Sequence, residues 1–310
     1  MRGAYHSLVL FIFVAQTIFG QQLTQYSQWS FHQFALNPAH AGIKPCSDLH
    51  TLFRTQWVGF TGAPKSGLVT FCAPLNFKRK EFLSARQGLG LRFEYDQIGQ
   101  FSTNRLNFAY AGHFNFSRDN RLSLGLYGGV IQMGYNPAGS VTIEPDPQIL
   151  REANFVLPDA TFGAWWNSER YYAGLVVQNM IKSRWNGLGT NSYFRTHVTI
   201  NGGYLFKIND AVSLLPTVLI KVPPKLPWSM DIQTTVDIKN IFDTGLGFRN
   251  GDALMFFVGY KYKQRFSIMY SFDLTTSPLK KYSNNTHELS LSFNSCGQGK
   301  KSSMNCPLFE

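Results

Sequence analysis

Charge is scarce in this chain: Asp, Glu, Lys and Arg make up 15% of its 310 residues, against roughly 25% in ordinary soluble domains. Long apolar runs are scarce too. Beyond the first twenty residues no uncharged apolar stretch is long enough for a membrane helix, which excludes a helical membrane protein. The signatures of catalysis and of metal binding are missing. His6, His32, His40, His50, His113, His197 and His287 stand apart, with neither an HExxH motif nor the Cys/His spacing of a zinc site. Gly88-Leu89-Gly90 opens a strand rather than a helix, so it builds no phosphate cradle. No GxSxG elbow occurs. No enzymatic activity, cofactor or metal is expected. The net charge of +11 invites nucleic acid, but no basic-aromatic binding module accompanies it. Positive rims beside an anionic membrane surface account for it more simply.

Aromatic residues, by contrast, are abundant: 27 Phe, 14 Tyr and 6 Trp, 15% of the chain. So apolar a sequence buries enough surface to offset its ordering entropy, which excludes disorder. Met1–Gly20 has a positive start at Arg2, an apolar run from Leu8 to Val14 and a small residue at Gly20. That is the pattern of a secretory signal peptide, with Gln21 opening the mature chain.

Alternation over about ten residues then recurs. Leu106, Phe108, Tyr110, Phe114 and Phe116 share one parity, and Thr103, Arg105, Asn107, Ala109, His113 and Asn115 the other. Met230–Lys239, Gln264–Thr275 and Gln87–Gln97 repeat the split. Such strands are long for a soluble sandwich and fit a membrane barrel, apolar outward and polar inward. The pattern predicts strands over 47–58, 65–75, 87–97, 101–116, 120–134, 157–168, 169–181, 193–209, 211–222, 226–239, 241–250, 251–262, 263–274 and 285–295. Pro216 inside the ninth argues for a bulged or edge-like position. The fold expected is all-β: a transmembrane antiparallel up-and-down β-barrel of about 14 strands, preceded by a signal peptide.

Tight polar turns follow even-numbered strands at 117–120, 167–170, 209–210 and 263–265, whereas the two longest connections follow odd-numbered ones. That arrangement places both termini in the periplasm of an outer-membrane protein. The domain reading is 1–20 signal peptide, 21–45 N-terminal arm or plug, 46–295 barrel and 296–310 periplasmic tail. One longer connection on the same side, Asn76–Arg86, is strongly basic through Lys78, Arg79 and Lys80. It reads either as an interfacial positive patch or as a docking surface.

Three motifs resemble the PorP/SprF family of outer-membrane proteins of the type IX secretion system. The first is Asn37-Pro38-Ala39-His40-Ala41-Gly42 after the Gln-rich Gln25-Tyr26-Ser27-Gln28, with His40 where an aromatic is usual. The second is the hairpin Arg54-Thr55-Gln56-Trp57-Val58-Gly59-Phe60-Thr61-Gly62-Ala63-Pro64, and the third is the closing His287-Glu288-Leu289. The resemblance implies a fourteen-stranded barrel without catalysis. It further implies a role in exporting or surface-anchoring secreted proteins, in some members gliding adhesins. Its partners would be outer-membrane lipid, the C-terminal domains of that cargo, and periplasmic lipoproteins of the secretion or gliding machinery. No nucleic acid is among them.

Parity turns Arg54 and Gln56 into the lumen and leaves Trp57 at the strand end, where an interfacial indole is favourable. Gly62, Ala63 and Pro64 belong to the first outer loop, which either closes the rim or faces cargo. Gln21–Pro45 lacks alternation but carries Tyr26, Trp29, Phe31, Phe34 and Leu36, so it packs inside the barrel mouth or onto a partner. Arg92, Glu94, Asp96, Arg105, His113, Arg195 and His197 share the inward parity, where opposite charges would pair and fill the lumen.

Four cysteines allow three full pairings. Cys296 and Cys306 are the favoured pair, because they are close in sequence and the periplasm is oxidising. Cys46 and Cys72 would lie about six residues out of register if the hairpin centred near Thr61 or Gly62, too far for a bond without a bend. Two other functions stay open: a channel or transporter for small molecules, and a rim hydrolase using Ser283 and His287.

Overall fold

The computed structural model describes residues 24–59, 61–75, 85–117, 119–138, 152–185, 192–224, 227–281 and 283–295. Its strands are β1 Asp48–Thr55, β2 Lys65–Leu75, β3 Arg86–Ile98, β4 Phe101–Asn115, β5 Arg121–Tyr135, β6 Ala153–Asn167 and β7 Tyr171–Gln178. There follow β8 His197–Tyr204, continued by Phe206–Asn209, then β9 Val212–Val222, β10 Ser229–Ile238, β11 Phe242–Arg249, β12 Ala253–Tyr262, β13 Phe266–Thr275 and β14 Thr286–Asn294. Each pairs antiparallel with the next, and β14 returns to β1 with Asp48 opposite Asn294. The result is a closed fourteen-stranded barrel.

Closure decides which face of each strand meets what. On β4, Phe108 is 65% exposed while its neighbour Asn107 is 1% exposed. The outward side chains make an apolar belt for lipid, and the inward ones make a polar lumen. One rim of the belt carries aromatic pairs: Phe116 with Trp166, Tyr204 with Phe206, Phe242 with Tyr260, and Phe266 with Phe293. Amphipathic rings are favourable at that level of a membrane.

The two mouths differ. At the one where β14 ends, 239–241 and 263–265 are tight turns, with positive φ at Lys239, Asn240, Lys263 and Gln264. Those are the conformations that reverse two twisted strands most directly. The opposite mouth carries the first hairpin loop and the connections 136–152, 179–196 and 276–285. These are called below the turn mouth and the loop mouth. Strands β3–β6 are 13 to 15 residues long, so one side of the wall stands taller at the loop mouth.

Three local expectations change. The eighth strand begins at His197, not at residue 193. Asn179 donates to the Arg195 carbonyl at 3.2 Å and accepts from Thr196 at its own carbonyl at 3.1 Å, which holds 195–196 in the loop. Arg195 therefore sits outside the lumen and donates to the Pro224 carbonyl. The first hairpin is in register about residue 60, since Asp48 faces Cys72, so Cys46 is two positions from that thiol's partner rather than six. Pro216 does interrupt pairing: the β8 ladder runs to Gly203–Thr217, resumes at Phe206–Leu214 and shifts register between Lys207 and Asn209. Proline has no N–H to give the ladder. Leu205, at the interruption, is buried.

Candidate functional site

The lumen is occupied by the chain's own residues 24–47. Their path starts at the loop mouth, where Thr24 lies beside Glu94. The next turn is anchored by charge. Glu288, near the loop-mouth end of β14, accepts the backbone N–H of Ser27 at 2.9 Å and of Gln28 at 2.8 Å. Arg54 bridges Glu288 at 2.9 Å and Asp273 at 3.1 Å, and also donates to the Ser27 hydroxyl. Beside it Arg249 grips both oxygens of Asp231 at 3.0–3.1 Å and reaches the Tyr26 carbonyl. Charges this deeply buried persist only when paired and hydrogen-bonded.

Lower down, amides take over. Gln28 donates to Ser271 and accepts from Ser290, while Gln233 donates to the Ser27 carbonyl and accepts from Ser30. A single helical turn, α1 Gln33–Leu36, follows. Asn201 donates to the Gln33 side chain, and Tyr127 donates to the Phe34 carbonyl. His32 meets His50 at 3.1 Å, and His50 bonds Asp48 at 2.6 Å, where Lys44 also binds.

The Asn-Pro-Ala-His-Ala-Gly motif packs against the β3–β6 side of the turn mouth. Asn37 caps the 3-10 turn Pro38–His40 by accepting from Ala39 N–H, and donates to the Ala164 carbonyl of β6. Ala39 and Ala41 are fully buried. The wall is pared back to receive them. A Cβ on Gly163 would lie 2.0 Å from Asn37 Oδ1, one on Gly125 2.4 Å from the Pro38 carbonyl carbon, and one on Gly88 2.0 Å from the Ala41 oxygen. Gly42 itself has φ +63°, which L side chains rarely adopt. His40 lies edge-on to Trp165 at 4.1 Å, and Trp165 stacks on Tyr172. Burial, with Lys44 and Arg121 nearby, pushes the His40 imidazole down to about 3, so it is neutral.

The residues singled out by sequence thus separate. Arg54, Asn37, Pro38, Ala39, Gly42 and Glu288 meet at the plug. Arg54, 3% exposed, is turned away from the rim and anchors the plug. Gln56, Trp57, Gly62, Ala63 and Pro64 stay at the loop mouth. There Gln56 N–H donates to the Pro64 carbonyl, Trp57 N–H to Thr286 Oγ1, and Gly99 N–H to the Gly62 carbonyl. His287 faces outward and bonds Tyr270 at 2.7 Å, while Ser283 Oγ accepts from Asn285 N–H. No hydrogen bond joins Ser283 to His287 among the described residues. Lys78, Arg79 and Lys80 lie outside the described residues, as does the Cys296–Cys306 pairing. Cys46 is disulfide-bonded, and its partner is not Cys72, whose thiol is free.

Of the inward charges, Arg92 pairs with Glu94, Arg105 with Asp159, and Asp96 accepts from Ser66. His113 bridges Ser123 and the plug's Ala41 carbonyl. Sequence reading missed Gln233, Asn201 and the wall glycines as plug contacts. Inward parity was their only signal.

The family of type IX secretion system membrane proteins PorP/SprF matches residues 18–293. The chain belongs to that family. It is accordingly a type IX secretion system membrane protein with an outer-membrane barrel fold. Among solved structures it is similar to the CymD monoaromatic hydrocarbon channel, with a TM-score of 0.51 at 9% identity, covering 89% of this chain and 94% of that one. It is also similar to the toluene transporter TbuX of Ralstonia pickettii, with a TM-score of 0.51 at 10% identity, covering 84% and 92%. At such identity the likeness shows the fold alone. No curated protein matches the chain. Within this PorP/SprF member, Glu288 of the closing segment holds Ser27 and Gln28, the stretch that leads to the Asn37–Gly42 motif.

Proposed function

We propose that this PorP/SprF protein works as a plugged docking barrel that supports export or surface anchoring of secreted proteins, gliding adhesins among them. In this reading the loop mouth, with Gln56, Trp57, Gly62, Ala63 and Pro64, holds the C-terminal domain of the cargo. The turn mouth and its basic connection, with Lys78, Arg79 and Lys80, meet periplasmic lipoproteins of the machinery. The observation that carries the proposal is the ion-paired segment in the lumen: a barrel filled by its own chain is better suited to holding partners than to passing solutes. No step of this role calls for a catalytic group.

The test is an affinity pulldown from the native envelope in mild detergent, followed by mass spectrometry. Co-recovery of a surface protein's C-terminal domain together with periplasmic lipoproteins is the expected result. A second reading, a small-molecule channel, is favoured by a cavity of about 530 Å³ between the plug and the turn mouth, lined by Phe31, Phe34, Trp165, Tyr172, Lys261 and Arg265. That volume is in the range of ligand sites. A barrel recovered alone that conducts ions in planar bilayers would replace the docking proposal with this one.

A further inference from the structure

A second, much smaller cavity, about 40 Å³, lies between the plug and the wall. Thr24, Tyr26, Trp29 and His32 line it from the plug, and Arg92, Gln178, Thr199 and Lys221 from the barrel. Its polar groups are left over from every network described above. Tyr26 Oη, Trp29 Nε1, Arg92 Nε and Thr199 Oγ1 are buried and unpartnered, as are His32 Nε2 and Gln178 Oε1. Trp29, Arg92, Thr199, His32 and Gln178 are each more than nine-tenths buried. So many orphans around one space is far from the usual state of buried polar atoms, nearly all of which find a partner.

The charge is unbalanced in the same place. Lys221 makes no hydrogen bond or ion pair with any described residue. The acids close to it are engaged elsewhere: Asp231 is held by both prongs of Arg249, and Asp252 by the same guanidinium. The lining therefore offers two N–H donors, two hydroxyls and an ammonium without an ion pair, against two groups that only accept. Lys221 is half-buried, and an ammonium without an ion pair, together with donors lining the same space, is what an anion requires. We infer that this cavity is a binding site for one small monovalent anion, a halide or a carboxylate of formate size, held by Lys221 with Thr199 and Trp29. The volume admits nothing as large as a nucleotide or a lipid headgroup. The anion completes the contact between plug and wall, so it is a stabilising ligand of the plugged state.

Bromide is the probe. The purified full-length mature protein is melted in detergent over a bromide titration, with sodium gluconate holding the ionic strength constant, beside Lys221→Met and Thr199→Val. The wild type is expected to rise in Tm along a saturating curve, with Thr199→Val needing at least threefold more bromide. Lys221→Met, freed of its lone cation, is expected to melt no lower than wild type in gluconate and to gain nothing from bromide. Crystals grown in bromide should show an anomalous peak between Lys221 and Thr199. Water alone in the cavity, or a bromide response equal in wild type and Lys221→Met, overturns the inference. Should Lys221→Met fail to fold, an unchanged bromide requirement in Thr199→Val together with no anomalous peak overturns it equally.

Discussion

At the scale of single residues, the plug shows how one side chain sets a condition on stability. His40 stands where the family pattern has an aromatic, and it keeps the aromatic's role by lying against Trp165 at 4.1 Å. Burial holds its folded-state value near 3, below the usual 6.5 of the unfolded chain. Below pH 6.5 the unfolded chain therefore takes up the proton first. Stability is full above that value and falls as pH drops towards 3, by about 1.4 kcal/mol for each pH unit from this group. His40→Phe keeps the ring and removes the proton site. Guanidinium midpoints measured from pH 7 to pH 4 are expected to slope less steeply in His40→Phe, by about one proton. Equal slopes would show that His40 is not the group responsible. Glu288 works at the other end of the plug through charge, collecting two backbone N–H groups and Arg54 in one buried cluster.

Among the elements, the seam between the first and last strands governs how the plug enters the wall. Ser295 N–H donates to the Ser47 carbonyl, and Ser47 N–H donates back to Ser295 Oγ. Were the register that sets Asp48 against Asn294 to continue by two residues, position 296 would stand opposite Cys46. Directly opposed residues of an antiparallel pair are close enough in Cα distance for a disulfide. Since Cys46 is bonded and Cys72 is free, peptide mapping without reduction is expected to find Cys46 linked to Cys296. That bond would fasten the foot of the plug to the closing strand. Recovery of a Cys296–Cys306 peptide instead would restore the pairing suggested by sequence proximity.

For the whole molecule, the consequence is topological. The described chain begins with Thr24 beside Glu94 at the loop mouth and ends with Ser295 at the turn mouth. Turn lengths suggest two termini on one side, whereas a plug that keeps to this path would set them on opposite sides. The mature N-terminus precedes Thr24 by three residues if Gln21 is its first. A short epitope placed after Gln22 is thus expected to bind antibody on intact cells, and one placed after Glu310 only once the outer membrane is opened. Both tags behaving alike would show that the plug does not thread the lumen from one mouth to the other. Whichever mouth faces outward, a threaded plug sets the two tags on opposite sides of the membrane.

Period-2 alternation was legible without any structure, because a pleated strand between lipid and lumen must sort its side chains by parity. It determined the barrel, the strand count and the inward set Arg54, Arg92, Glu94, Arg105 and His113. The missing N–H of Pro216 likewise marked the break in the ladder between β8 and β9. Parity says nothing of what an inward side chain meets across the lumen. That Arg54 and Glu288, 234 positions apart, hold Ser27 and Gln28 was decided only by closing the sheet. So was the fit of Gly88, Gly125 and Gly163 to the Asn-Pro-Ala-His-Ala-Gly segment, since a strand glycine carries no sign of its partner until another backbone is laid against it. The N-terminal direction of the plug had no local signal either. Its apolar groups called for burial, but only the positions of the charged anchors around the ring fixed which end would enter first.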